Sequence, residues 1–61
     1  MPIVKVEMFA GRSKEQKAEL AKAITDAVVD IARTTADETI VIFTDVEREN
    51  WARGGTLASE R

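Results

Sequence analysis

The 61-residue sequence predicts an α+β fold: one β-α-β unit with a parallel two-stranded sheet, one long helix and a C-terminal turn or short hairpin, assembled as an oligomer. Three observations predict it. An alternating β-branched segment comes first, then an amphipathic helical pattern, then a continuous apolar β-branched run. A strand, helix, strand order joins parallel neighbours, with a right-handed crossover in about 98% of such units. The chain also has no cysteine and no histidine, so neither disulfides nor zinc can supplement a core that, at this length, buries only about 60% of the unfolded surface. Association of copies is the remaining route. A 44% hydrophobic composition with few aromatic rings suits an aliphatic core completed by neighbours.

From Pro2 to Ala10 the residues alternate, with Val4, Val6 and Met8 on one face and Ile3, Lys5, Glu7 and Phe9 on the other. That period of two predicts a strand. Gly11 breaks it, and Ser13 with Gln16 three residues later forms a capping-box pattern that satisfies free amides at a helix start. Leu20, Ile24, Ala27, Val28 and Ile31 then recur at helical spacing, with Lys14, Glu15, Lys17, Glu19, Lys22 and Asp26 on the other faces. An amphipathic helix is expected from Lys14 to Arg33.

Thr34 and Thr35 are poor helix formers and Asp37 suits a turn. From Thr39 to Thr44 the run is apolar without alternation, as in a strand covered on both faces. One helix covers one face of a two-stranded sheet, so the other face is expected to pack on another subunit. The polar tail from Glu47 to Arg61 contains Gly54-Gly55 and reads as a turn or short hairpin against a neighbour. Residues 1–61 read as a single domain.

A net charge of −2 supplies no basic field for neutralising phosphates, which disfavours nucleic acid as a partner. No stretch approaches the roughly 20 apolar residues of a membrane span, and the start lacks the features of a signal peptide. A cytoplasmic protein with no membrane partner is the expectation.

Without His, Cys or Tyr, the commonest acid–base, nucleophilic and metal-ligating groups are absent. Asp45, Glu47 and Glu49 lack the glycine and ligand spacing of a calcium loop, and read as a solvated face; no metal is expected. Ser13 reads as a helix cap, since no base exists to activate it. Pro2 remains. Removal of Met1 would leave it a secondary amine at the head of a strand. Model α-amino groups titrate near 8, and apolar neighbours or a cation disfavour the charged form, which makes such an amine a usable base at neutral pH. Taken alone, the Met-Pro start also fits a terminus that proline merely stiffens.

Pro2-Ile3-Val4, Gly11-Arg12-Ser13 followed by Glu15-Gln16-Lys17, the apolar strand ending at Thr44, and Gly54-Gly55 with Leu57-Ala58-Ser59 together resemble the 4-oxalocrotonate tautomerase family in order and spacing. The likeness runs over nearly the whole chain. It implies a hexamer of β-α-β subunits built as a trimer of dimers. It also implies a cofactor-independent keto-enol tautomerase acting on small 2-hydroxy-2-enoate or dienoate acids, such as 2-hydroxymuconate or phenylenolpyruvate. Pro2 inherits the role of proton carrier. Arg12 corresponds to the arginine that grips a substrate carboxylate, and a cation beside a helix start, where the dipole disfavours it, suits that reading. Trp51 corresponds to the aromatic pocket wall, and equally fits an anchor at a subunit interface. Ile3 and Phe9 match apolar pocket positions.

One position departs from the pattern. The family's second arginine, which reaches the carbonyl end of the substrate from another subunit, falls on Ile40. Loss of one preorganised donor typically costs about 10² to 10³ in rate. Arg53, two residues beyond Trp51, is the candidate to compensate, with a rim or intersubunit ion pair as its competing role. Related dehalogenases carry a water-activating glutamate there, so arginine argues against that chemistry. The resemblance leaves two assemblies open: a homohexamer, or a mixed oligomer in which another chain supplies the missing cation.

Overall fold

A computed structural model describes residues 1–61. Strand β1 (Ile3–Phe9) leads through Gly11 into helix α1 (Lys14–Ala32), and strand β2 (Ile40–Val46) returns parallel to β1. A 3-10 turn at Arg48–Asn50 precedes a hairpin of β3 (Ala52–Arg53) and β4 (Thr56–Leu57), and a second 3-10 turn, Ala58–Glu60, follows. The register runs from Ile3 opposite Ile40 to Phe9 opposite Val46. The expected β-α-β unit with its parallel pair is present.

Local chemistry explains the boundaries. Ser13 Oγ accepts from the Gln16 amide at 3.1 Å while Gln16 Oε1 accepts from the Ser13 amide at 3.0 Å, the reciprocal capping box read from the sequence. The helix ends one residue earlier than expected, because Arg33 adopts a left-handed conformation (φ 59°, ψ 49°) as its C-cap. The turn into β2 is tied by Thr35, whose hydroxyl accepts from the Glu38 amide and whose carbonyl accepts from the Thr39 hydroxyl at 2.8 Å. At the hairpin tip Gly54 and Gly55 both have positive φ, 61° and 85°, the geometry that a two-residue turn matched to strand twist requires.

Two expectations are corrected. First, β2 runs past Thr44 to Val46, because Asp45 points to the helix side and binds Lys17 Nζ at 2.6 Å, so its charge does not end the strand. Ile40 and Ile42 lie 37% and 42% exposed on the face away from α1, the face expected to pack on another subunit. Second, the expected helix stripe meets the sheet only in part. Ile24 and Val28 are half-buried with Ala21, Thr25 and Lys17, whereas Leu20, Ala27 and Ile31 are exposed, Ile31 at 79%. Two strands about 5 Å apart present a ridge too narrow for a whole apolar stripe.

No residue is fully buried, and the accessible surface is 4833 Å². A folded monomer of 6.7 kDa would expose roughly 3,900 Å². The radius of gyration is 14.5 Å with extents of 42 × 24 × 14 Å, against about 10 to 11 Å for a compact chain of this length. The subunit is a flat slab with a one-sided core.

Candidate active site

Pro2 opens β1. Its carbonyl accepts from the Ile40 amide at 3.0 Å, which pins the residue to the start of β2. Met1 is 79% exposed and precedes it. While Met1 is attached, the Pro2 nitrogen is a tertiary amide without a basic lone pair. Ile3 and Ile40 sit opposite each other on the face away from α1, Ile3 at 55% exposure. At this end of the sheet the surroundings are apolar, and the place of the expected second cation is an isoleucine.

The other candidates gather at the opposite end of the same strand. Phe9 stacks on Trp51 with ring centroids 4.5 Å apart at 51°, a tilted geometry favoured by the ring quadrupoles. Arg12 turns back over the Gly11 bend and donates from Nη1 to the Phe9 carbonyl at 3.2 Å. Arg48 lays its guanidinium over the Phe9 ring, 4.4 Å from the centroid. Such cation–π contacts contribute about 0.5–1 kcal/mol when exposed. The Trp51 amide donates to the Arg48 carbonyl, and the Trp51 carbonyl accepts from the Ala58 amide at 2.7 Å, so both 3-10 turns hold the Trp51 backbone. Arg53 stands on β3 in register with Thr56, exposed and with no carboxylate within ion-pair distance.

The strand therefore separates the candidates into two groups. Seven steps at about 3.3 Å place Pro2 about 23 Å from Phe9 along β1, and no cavity within the single chain joins the ends. Arg48 is the residue that the sequence left unread. It lies between Glu47 and Glu49, which read as a solvated face, and only the position of the Phe9 ring distinguishes it.

Comparisons with known proteins agree with this architecture. The family model described as tautomerase enzyme matches residues 2–61. A protein of Lactiplantibacillus plantarum named as a probable tautomerase is 38% identical over 60 residues, covering 98% of this chain and 94% of its own. Among solved structures, a 4-oxalocrotonate tautomerase homologue is 34% identical with a TM-score of 0.92, covering 100% of this chain and 97% of its own. A chain of a heterohexameric 4-oxalocrotonate tautomerase from Chloroflexus aurantiacus is 35% identical with a TM-score of 0.91, covering 98% and 97%. With its fold and nearly its full length matched, this chain belongs to the tautomerase family.

Proposed function

We propose that the protein is a cofactor-independent keto-enol tautomerase of small 2-hydroxy-2-enoate or dienoate acids, with Pro2 as the base once Met1 is removed. The observation that carries this reading is the division of one strand: a terminal proline at its head, and a carboxylate-seeking arginine beside an aromatic pair at its foot. Neither end is a site alone. Two copies set head to foot bring the Pro2 of one to the Arg12, Phe9 and Trp51 of the other, and an isologous two-fold contact makes two such sites at once. Further copies packed on the exposed sheet face then complete a homohexamer.

In that site the Arg12 fork holds the substrate carboxylate. The Pro2 nitrogen takes the enol proton as the O–H electron pair becomes the carbonyl bond. The double-bond electrons move to the terminal carbon of the conjugated system, which takes the proton back from the Pro2 ammonium. Trp51 and Phe9 form an apolar wall that keeps the amine partly dry, which favours its neutral form. Ile3 lines the head of the site. Ile40 offers no cation to the developing oxyanion, so turnover below that of a two-arginine site is expected.

Intact mass and ketonisation kinetics test the reading together. A deficit of one methionine, with ketonisation of phenylenolpyruvate or 2-hydroxymuconate that collapses in Pro2→Ala, is expected. A processed protein with equal rates in parent and variant would remove Pro2 from the mechanism. A second reading follows from the heterohexameric relative together with the isoleucine at position 40. In it, this chain is a partner subunit that borrows its cation from another polypeptide. A stable, active homohexamer in native mass spectrometry of the protein expressed alone would exclude it.

A further inference from the structure

We infer that Lys5 and Glu7 fix the register in which two copies of this chain pair, each lysine meeting the glutamate of the other copy across antiparallel β1 strands. The inference rests on the head-to-foot contact of the proposed function and says what selects it.

Strand β1 has one free edge. The Ile40 amide donates to the Pro2 carbonyl and the Ala10 amide donates to the Val46 carbonyl, both at 3.0 Å, so the even-numbered residues of β1 turn their backbone groups toward β2. By the alternation of a strand, the N–H and C=O groups of Ile3, Lys5, Glu7 and Phe9 point to the opposite edge, and β1 pairs with β2 alone. Such an edge is a template for another strand, and a two-fold contact offers it the same edge of a second copy. Odd-numbered residues then meet odd-numbered residues. The register centred on Val6, the midpoint of Ile3–Phe9, sets Ile3 against Phe9 and Lys5 against Glu7 in both directions, and pairs the whole strand. The register centred on Lys5 sets that lysine against its own copy, and the one centred on Glu7 does the same to the glutamate. Opposite charges directly across an antiparallel pair stabilise it, and like charges destabilise it. The two side chains therefore oppose both slipped registers and favour the one that carries Pro2 to the Phe9–Trp51 end of the other copy. Nothing within the chain claims them: both are exposed, their neighbours on β2 are Ile42 and Thr44, and the ion pairs of the chain are Lys17–Asp45 and Lys22–Asp26. An edge lysine alone would repel a passing strand. Glu7 on the same face makes the edge self-complementary instead, so the partner it fits is a second copy of this chain.

Charge reversal tests it, read by sedimentation at low salt as the protein concentration of half dissociation. Lys5→Glu sets glutamate against glutamate twice in each pair of copies, and Glu7→Lys sets lysine against lysine twice. Each alone is expected to raise that concentration at least about tenfold. The double variant, Lys5→Glu with Glu7→Lys, restores opposite charges and should return to within about threefold of the parent. An equal mixture of the two single variants should associate as mixed pairs. Because a dissociated single variant also unfolds, the recoveries carry the test rather than the losses. Val6→Cys reports the register independently in a chain that has no other cysteine. A residue on the two-fold axis at a non-hydrogen-bonded position lies about 4.5 Å from its copy, within reach of a disulfide under a mild oxidant. A cross-linked dimer on a denaturing gel is expected. Single variants that associate like the parent, a double variant or mixture that stays dissociated, or Val6→Cys chains that remain uncrosslinked would overturn the inference. A parent that shows these recoveries but turns over no enol keeps the register and loses the tautomerase reading. An active parent indifferent to charge reversal does the opposite.

Discussion

At the scale of single residues, the proposed site assigns proton transfer and carboxylate binding to different side chains, which predicts different kinetic signatures. Pro2→Ala keeps an amine in nearly the same place, so kcat should fall roughly 10²-fold, the lower range for a positioned acid–base group, with the fold intact. With Pro2 as the proposed base, kcat/KM of the parent should rise with pH as the amine loses its proton. Arg12→Ala should act mainly on KM, by roughly ten- to a hundredfold, since a charge-assisted bond contributes to ground and transition states alike. Unchanged kinetics with a weakened oligomer would make Arg12 structural. Placing arginine at Ile40 should raise kcat for 2-hydroxymuconate, because it aims a cation at the developing oxyanion. The side chain lies on the outer sheet face, 37% exposed, so within the chain the new charge meets no core. Combining Ile40→Arg with Arg53→Ala shows whether the two positions couple: equal losses in both backgrounds mean that they act independently.

At the scale of elements, the turn chemistry was legible in the sequence and the tertiary faces were legible only in part. The capping box at Ser13 and Gln16 needs only residues close in sequence, and it stands as read. Ser13→Ala should therefore cost about 1 kcal/mol of stability in thermal or urea unfolding. The left-handed Arg33 carried no sequence signal, because glycine is the usual mark of such a cap. Arg33→Gly should remove the steric cost of that conformation and raise stability by about 0.5–1 kcal/mol, read as a Tm several degrees higher. A lower Tm would show that the Arg33 side chain contributes more than its backbone costs. Asp45 hid the end of β2 because its partner, Lys17, lies 28 positions away, beyond the reach of local pattern. Arg48 was hidden for the same reason: its partner Phe9 is on the first strand. The exposed Lys22–Asp26 pair raises the Lys22 pKa, first through their hydrogen bond and then through charge. The part of the stabilisation that comes from the raised Lys22 pKa is therefore complete at neutral pH and is lost as pH rises through that raised value.

At the scale of the whole molecule, the single chain is an unfinished object. A core without one fully buried residue, apolar side chains on both outer surfaces and an extended shape all leave folding dependent on neighbours. Stability should accordingly depend on protein concentration, with Tm falling on dilution. A charge on the outer sheet face, as in Ile42→Glu, should dissociate the assembly and unfold the chain together. In the proposed function each site is divided between two chains, and that division is the central claim. It is tested by mixing Pro2→Ala chains with Arg12→Ala chains after joint refolding. Each variant alone has every site damaged. In an equal mixture, random pairing of a Pro2 donor with an Arg12 donor leaves roughly a quarter of the sites intact in both residues. Recovery of about a quarter of the parent activity is expected, and activity no greater than the average of the two separate variants would contradict a site shared between chains.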